Sequence, residues 1–267
     1  MTSAFRDDIL AGRVALVTGG GTGICKGIAR AFAAHGAAVC LVSRKADVLA
    51  AAADEIARET GAAVSSAAAD VRQPDEIAAA VAACVERHGG LDILVNGAAG
   101  NFLAPAAALT PNGFRTVIEI DLLGTFHAAK AAFEALQKSG RGLILNLSAT
   151  LQMHGTPLQA HAAAAKAGVD SLTRTLAVEW AGLGIRVNAI APGAIGDTEG
   201  MRRLAPGELG RRVLAQIPLG RFGTIDDVAG CALYLASDAA AWVTGAVFVV
   251  DGGHSVAHSQ LVMTADN

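Results

Sequence analysis

The residues best suited to chemistry begin with a glycine-rich loop, Thr18-Gly-Gly-Gly-Thr-Gly-Ile24, which lies between an apolar run and an amphipathic segment. Glycines let a backbone approach a phosphate closely, and the start of the following helix supplies N–H donors and the positive end of a dipole. The context of strand, glycine turn and helix predicts a loop that binds the pyrophosphate of a dinucleotide. Taken alone, the loop is also compatible with a tight turn in an ordinary α/β domain.

A second stretch, residues 161–168, carries Lys166 in an alanine-rich helical pattern, His-Ala-Ala-Ala-Ala-Lys-Ala-Gly. A lysine there could bind a ligand beside the glycine loop. It could also be an exposed helical lysine, which is the commonest fate of that residue.

Seven short apolar runs alternate with longer amphipathic segments from residue 13 onward. This order predicts a parallel sheet covered by helices on both faces. Pro74 and Pro111 mark two helix starts, and Thr224 with Asp227 resembles a capping box. We therefore predict an α/β fold, a single doubly wound domain over residues 1–267 with a seven-stranded parallel sheet. The predicted strands are 14–17, 38–42, 63–66, 93–95, 143–147, 186–190 and 246–250.

The composition restricts the partners. Hydrophobic residues make up 52% of the 267 residues and charged residues 17%, yet no apolar run approaches the roughly 18 residues of a membrane-spanning helix. We expect no membrane partner, and large subunit interfaces that bury the surplus apolar surface. A net charge of −3 with no basic cluster argues against nucleic acid as a partner, because phosphates require a positive patch.

The cysteines and the chain ends suggest a cytoplasmic protein. No apolar core of a secretory signal occurs in residues 1–8, and Thr264-Ala-Asp-Asn267 is not a peroxisomal address. The cysteines show no metal-type spacing, so we expect free thiols in a reducing compartment and no metal site. They are Cys25, Cys40, Cys84 and Cys231.

Motifs along nearly the whole chain resemble the short-chain dehydrogenase/reductase family. They are Thr18-Gly19 with Gly23-Ile24, Asp70-Val71, Asp92-Ile-Leu-Val-Asn96 with Gly97-Ala-Ala, Lys166, Pro192-Gly193 and Asp251-Gly252-Gly253. The resemblance implies a Rossmann-type fold, a bound nicotinamide dinucleotide and a substrate loop near residues 194–218. It places the cofactor against Gly19, Gly20, Gly21, Thr22, Gly23, Ile24, Ser43, Arg44, Asp70, Val71, Asn96, Ala98, Lys166, Pro192, Gly193 and Ile195. Cys25 stands where the family usually has glycine, and we expect its thiol to crowd the first helix.

The end of the second strand indicates which nicotinamide is used. An acid there binds a ribose 2′-hydroxyl, whereas a base binds a 2′-phosphate. The strand ends Val42-Ser43-Arg44-Lys45, with no carboxylate, so we predict NADPH over NAD. The alternative is that Arg44 and Lys45 are solvated charges at a helix start.

The family's catalytic residues are only partly present. By resemblance, Asp121 stands at the family's asparagine position, Ala149 at its serine position and Ala162 at its tyrosine position, while Lys166 is retained. The single tyrosine of the chain, Tyr234, lies in a late helical pattern that is typical of a packing residue. Carbonyl reduction puts a full negative charge on one oxygen and needs a strong acid such as a phenol. Reduction of a double bond conjugated to a thioester spreads the charge into an enolate, and needs a donor to the thioester oxygen and a proton source. The missing phenol therefore favours conjugate reduction.

A closer similarity, to the peroxisomal branch of the 2,4-dienoyl-CoA reductases, agrees. It rests on Gly100-Asn-Phe-Leu-Ala-Pro105, Ile120-Asp-Leu-Leu-Gly-Thr-Phe126, Leu147-Ser-Ala-Thr-Leu151, Gln159-Ala-His-Ala162 and Gly196-Asp-Thr-Glu-Gly-Met-Arg-Arg-Leu204. The resemblance implies an acyl-CoA substrate, NADPH as cofactor and a homotetramer. It makes Asn101 the donor to the thioester oxygen, Lys166 the group that holds the nicotinamide ribose, and Asp121 the residue that positions a proton-delivering water. Asn101 could instead be a turn residue.

Asp121 has a structural alternative as a paired buried acid. An ordinary aspartate has a pKa of about 3.9 and cannot donate a proton at neutral pH. Asp121 must therefore order a water, or have its pKa raised by burial among Ile118, Leu122 and Phe126. His161 and His154 are alternative proton sources. We also expect the small side chain of Ala162 to leave room for water or substrate.

Arginines in the substrate loop are candidates for binding the CoA phosphates. Arg202 and Arg203 come first, followed by Arg72. Phe102 could face the acyl chain or nicotinamide, or lie in the core. Besides dienoyl-CoA reduction, the sequence leaves open another enone or enoyl-thioester substrate, and a non-catalytic NADP-binding role.

Overall fold

A computed structural model describes residues 4–257 of the chain. Seven parallel strands form one sheet in the order β3-β2-β1-β4-β5-β6-β7. Each predicted strand forms within two residues of its expected bounds, which confirms the doubly wound α/β fold. The strands are β1 Val14–Thr18, β2 Ala38–Ser43, β3 Val64–Ala68, β4 Ile93–Asn96, β5 Gly142–Leu147, β6 Ile185–Pro192 and β7 Val247–Val250.

Helices cover both faces of this sheet, because successive side chains of a strand point to opposite sides. Ala15 and Val17 of β1 belong to one buried core, and Val14 and Leu16 to the other. The first core is closed by α1 Gly23–Ala34, α2 Ala46–Thr60 and α9 Ile225–Ala236; the second by α3 Pro74–His88, α5 Gly124–Ser139 and α6 Ala160–Trp180. The remaining described helices are α4 Pro111–Ile118, α7 Glu199–Leu204 and α8 Gly207–Ala215.

The predicted helix starts are present. Pro74 and Pro111 are the first residues of α3 and α4. Thr224 accepts a hydrogen bond from the backbone N–H of Asp227, whose side chain binds back to the backbone of Thr224, so the capping box is confirmed. Tyr234 is half-buried against the ring of Phe248, 6.1 Å between centroids, which confirms its packing role.

A single π-helical turn, Glu119–Leu123, joins α4 to α5. Such turns insert an extra residue into a helix and often occur at functional sites. Here the turn carries Asp121 into the interior, where the side chain is 1% exposed. At its end a Cβ on Gly124 would lie 2.6 Å from Val71 Cγ2, so glycine allows the close approach.

Within the described range, no helix is long and apolar enough to cross a membrane. All four cysteines are free. The C-terminal tetrapeptide on which the localisation prediction partly depends lies outside the described residues.

Candidate active site

The glycine loop connects β1 to α1 at the carboxyl edge of the sheet, where ligands of doubly wound folds bind. Gly19 has a φ of +69°, and a Cβ there would lie 2.8 Å from the Gly97 carbonyl oxygen. Gly23 has a φ of +56° at the first position of α1. Side chains at these positions would strain the backbone or collide with the β4 loop, so the cradle requires glycine. The geometry fits a pyrophosphate held by backbone N–H groups.

Cys25 packs behind this loop. Its Sγ is 3.5 Å from the Gly97 carbonyl oxygen, and a Cβ on Gly97 would lie 2.1 Å from the sulfur. Burial raises the pKa of the Cys25 thiol to about 12. The thiol therefore acts as a small buried group that fills the space beside Gly97.

The middle of the glycine loop, at Gly21, lies beside the end of β2. Ser43 Oγ is 3.8 Å from the position of a Cβ on Gly21, and Arg44 is exposed. Asp70 forms an ion pair with Arg72, and this pair holds the pKa of Asp70 below its usual range. The carboxylate nearest to the end of β3 is thus already neutralised by a cation.

The other predicted cofactor residues fall into two groups. Asn96 is buried and its Nδ2 donates to Asn146 Oδ1 at 2.9 Å, so its side chain links β4 to β5. Two residues later, the backbone of Ala98 lies beside Gly19. Pro192, Gly193 and Ile195 line the main cavity, together with Ile24 of α1.

Asp121 and Lys166 form a buried ion pair. Lys166 Nζ is 3.2 Å from Asp121 Oδ2 and donates to the Leu147 carbonyl oxygen at 2.9 Å. The backbone N–H of Gly100 donates to Asp121 Oδ1 at 2.7 Å. Two of these contacts, from the Lys166 ammonium and from the Gly100 N–H, are made to the side chain of Asp121. The expected apolar surroundings of Asp121 are therefore wrong in part, since its neighbours are an ammonium and a backbone donor, and the Phe126 side chain is 40% exposed.

Consecutive residues of the β4–α4 loop are each held by a different contact. Gly100 binds Asp121, and Asn101 Nδ2 donates to Gln159 Oε1 at 2.6 Å. The Phe102 ring packs on the His161 ring, 4.3 Å between centroids. The loop is thereby fixed against the start of α6. Sequence reasoning missed Gln159 as a site residue, although it stands in the same motif as His161.

Ala162 does not open onto the cavity, contrary to expectation. It is buried in a small apolar cluster with Val117 and Ala165, against which Ile118 and Leu151 pack. The sequence has alanine in place of the tyrosine at this position. Residues of α4 fill the space beside Ala162, so the missing phenol does not leave room for a water.

A cavity of 660 Å³ lies beside the start of α1 and the end of β6. Its walls are largely apolar and include Leu103, Leu158, Met201, Leu204, Leu209 and Val213, so α7 and α8 contribute one wall. Arg212 lies in the lining, whereas the exposed Arg202 and Arg203 lie outside it. Arg72 is placed at a separate small pocket with Glu119 and His127. Sequence reasoning missed Arg212, which lies within the predicted loop 194–218.

Comparison with known proteins identifies the family. The family described as Enoyl-(Acyl carrier protein) reductase matches residues 19–255. The chain belongs to the short-chain dehydrogenase/reductase family. Among solved structures of this family, a putative short-chain alcohol dehydrogenase from Sinorhizobium meliloti superposes with a TM-score of 0.86 at 36% identity, covering 95% of this chain and all of that one.

Two curated family members are informative about chemistry. The chain is 46% identical over 250 residues to a rat protein named peroxisomal 2,4-dienoyl-CoA reductase, (3E)-enoyl-CoA-producing, covering 93% of this chain and 86% of that one. It is 41% identical over 244 residues to a Bacillus subtilis protein named probable 2,4-dienoyl-CoA reductase, (2E)-enoyl-CoA-producing, covering 90% and 96%. The chain is accordingly an oxidoreductase-family protein with a nicotinamide-binding fold.

Proposed function

We propose that the protein is an NADPH-dependent reductase of 2,4-dienoyl-CoA thioesters that forms a 3-enoyl-CoA in unsaturated fatty-acid degradation. One observation carries the proposal: a buried Asp121–Lys166 ion pair occupies the site, and the phenol of carbonyl-reducing family members is absent. The names of the similar rat and Bacillus subtilis proteins support the same reaction class.

The residues that would hold NADPH fit it. The glycine cradle suits the pyrophosphate, and Ser43 with the exposed Arg44 suits a 2′-phosphate. An ammonium has three N–H donors, and Lys166 uses two on Leu147 and Asp121. The third is left for a ribose hydroxyl. Bound NADPH supplies the hydride that the reduction requires.

Asn101 is suited to stabilise the enolate. A carboxamide has two N–H donors, and Asn101 uses one on Gln159. The second is available to the thioester oxygen, where negative charge develops as hydride reaches the far end of the conjugated system.

Asp121 positions the proton rather than donating it. As a carboxylate paired with Lys166, it accepts hydrogen bonds, and its oxygens retain lone pairs for a water. That water gives the proton to carbon. We assign the 3-enoyl product because sequence identity is higher with the (3E)-producing rat protein, 46%, than with the (2E)-producing Bacillus subtilis protein, 41%.

The cavity suits the acyl part of the thioester, because its walls are mainly apolar. We propose that Phe102 borders the substrate from the β4–α4 loop, and that Arg212 binds a CoA phosphate, with the exposed Arg202 and Arg203 as outer contributors. Arg72 already forms an ion pair with Asp70, so it could bind a CoA phosphate only by exchanging that carboxylate for the phosphate.

We further propose a cytoplasmic homotetramer. Large apolar side chains remain exposed on the α4, α5 and α6 surfaces, including Phe114, Phe126 and Val178, the last at 83%. Exposed large apolar side chains of this kind suit burial in a subunit interface. The four free cysteines suit a reducing compartment. Light scattering coupled to gel filtration measures the assembly directly.

The reaction is tested with purified protein, NADPH and a 2,4-dienoyl-CoA. We expect loss of NADPH absorbance and a 3-enoyl-CoA product by NMR, with slower turnover on NADH. A 2-enoyl product would overturn the product assignment alone. NADPH binding with no turnover of any dienoyl-, enoyl- or ketoacyl-CoA would overturn the enzymatic proposal.

Replacement of Asp121 tests its role. Asp121→Ala should lower kcat by about 100-fold or more, the scale of a lost proton-transfer group, with NADPH affinity retained in a fluorescence titration. Glu119→Ala, on the same π turn, is the matched control and should keep wild-type kcat. Full activity of Asp121→Ala would remove the mechanism assigned to Asp121.

A further inference from the structure

His161 is a buried histidine to which the steps above give no role. Its side chain is 0% exposed, and it lies in the first turn of α6, directly before Ala162. Neither ring nitrogen makes a well-formed hydrogen bond among the described residues, although the backbone of Phe102 lies close enough to raise the pKa of the ring. A buried imidazole with both nitrogens unpaired is costly, because buried polar groups are nearly always satisfied by protein or water.

A second unpaired atom lies in the same corner of the site. Asn101 Oδ1 is buried without a partner. Asn101 is linked to the start of α6 by Gln159, and the next residue, Phe102, packs on the His161 ring. The corner therefore contains three unsatisfied polar atoms beside the proposed thioester site. Such polar corners hold ordered water in proteins.

The protonation of His161 suits exchange of protons with that water. Burial lowers the pKa of His161 below its ordinary value, while the negative charge of Asp121 and the backbone of Phe102 oppose this shift. The buried ion pair near the ring consists of Asp121 on the π turn and Lys166 on α6, whose opposite charges largely cancel. The ring is consequently neutral at neutral pH. A neutral imidazole donates at one nitrogen and accepts at the other.

The residue that anchors Asn101 in this corner, Gln159, also lines the cavity. Gln159, two residues before His161, lines the cavity together with Leu158, whose side chain is 42% exposed. Asp121 lies on the inner side and is 1% exposed. His161 follows the cavity-lining Gln159 by two residues on the chain, and the negative charge of Asp121 acts on its ring.

We propose that His161 is a proton-relay residue, which resupplies from solvent the water that protonates the substrate beside Asp121. This inference rests on the proposed function. In each turnover the substrate gains a hydride at one carbon and a proton at another. The proton leaves the water, the N–H of His161 restores it, and the opposite ring nitrogen takes a proton from a second water, whose hydroxide is neutralised by a proton from bulk solvent. The ring is neutral before and after with its tautomer exchanged, and exchange with solvent resets it between turnovers.

His161→Phe tests the relay, because it keeps an aromatic ring against Phe102 and removes both nitrogens. We expect kcat to fall about 100-fold, at the lower end of the range for lost acid–base assistance, with KM for NADPH unchanged. The solvent deuterium isotope effect on kcat should increase, since proton delivery becomes rate-limiting. His161→Gln retains hydrogen bonding without tautomer exchange, and should show the same isotope effect even where His161→Phe folds poorly.

His88→Phe is the matched control. His88 is half-buried at the end of α3, and burial likewise lowers its pKa, but it binds Ser65 away from the site. This variant should keep wild-type kcat and isotope effect. Wild-type values for both His161 variants would overturn the relay and leave His161 as a packing residue.

A readout without turnover separates this inference from the proposed function. In ¹⁵N-histidine NMR of the NADPH-bound protein, the signal lost in His161→Phe should belong to a neutral, water-bonded ring. A permanently cationic ring, or nitrogens without hydrogen bonds, would overturn the relay whatever the substrate. A neutral, water-bonded ring in a protein that reduces no dienoyl-CoA would overturn the proposed function and keep the water-linked site.

Discussion

Two buried polar regions meet at the start of α6, and they differ in how completely their groups are paired. In the Asp121–Lys166 pair, both carboxylate oxygens and two of the three ammonium donors are engaged. In the corner formed by Asn101 and His161, three polar atoms are buried without partners. The paired region fixes position and charge, whereas the unpaired region offers hydrogen-bonding capacity to water and substrate. Under the proposed function both regions take part in the reaction, the first through Asp121 and Lys166 and the second through Asn101 and His161.

Breaking the pair should have the largest effect. Lys166→Met leaves a buried carboxylate without its cation and should lower the free energy of unfolding by about 3–5 kcal/mol, and it should abolish turnover. Urea denaturation of the NADPH-free protein measures the stability. The double variant Lys166→Met with Asp121→Asn removes both charges and should recover most of the stability but no activity. Equal destabilisation in the single and double variants would show that the pair contributes no mutual compensation.

Loss of the amide in the unpaired corner should affect kcat more than stability. Asn101→Ala should lower kcat by about 100-fold, as for other donors to a developing oxyanion. Gln159→Leu should have a smaller effect of about 10-fold, because Asn101 remains but loses its anchor. Steady-state kinetics on a dienoyl-CoA gives both values. A larger loss for Gln159→Leu than for Asn101→Ala would contradict the assignment of Asn101 to the thioester oxygen.

The pH dependence of stability should show the smallest difference. Because burial lowers the pKa of His161, its contribution to stability is fully present above the unfolded value of about 6.5 and is lost as pH falls from there toward the folded value. Wild type should lose more stability than His161→Phe over this window. His88 also has a lowered pKa, so the difference between the two proteins isolates His161. Parallel curves would show that His161 titrates normally.

The sheet and the glycine loop could be predicted because their signals are local. Apolar runs such as those of β1 and β5 and the spacing of Gly19 to Gly23 are read within a few residues. The retained Lys166 and the missing tyrosine could also be read from the sequence, because the motif fixes their register on one helix.

The partners within the site could not be predicted, because they depend on long-range geometry. Asp121 reaches Lys166 through a π turn that has no distinct sequence pattern, and Asn101 meets Gln159 across 58 positions. The filling of the space at Ala162 depends on how α4 packs, which brings Val117 to it. Arg212 was missed because only the fold of α7 and α8 determines which arginine of the loop faces the cavity.

We propose that this site handles the proton of a conjugate reduction without a phenol. Initial rates of NADPH oxidation with a 2,4-dienoyl-CoA and a 3-ketoacyl-CoA of equal chain length, for wild type and Ala162→Tyr, test it most directly. We expect turnover of the dienoyl-CoA alone in wild type, and no gain with it in Ala162→Tyr, where the phenol must displace Val117 and its neighbours. Reduction of the 3-ketoacyl-CoA by wild type, or a marked increase in dienoyl-CoA reduction by Ala162→Tyr, would contradict the account.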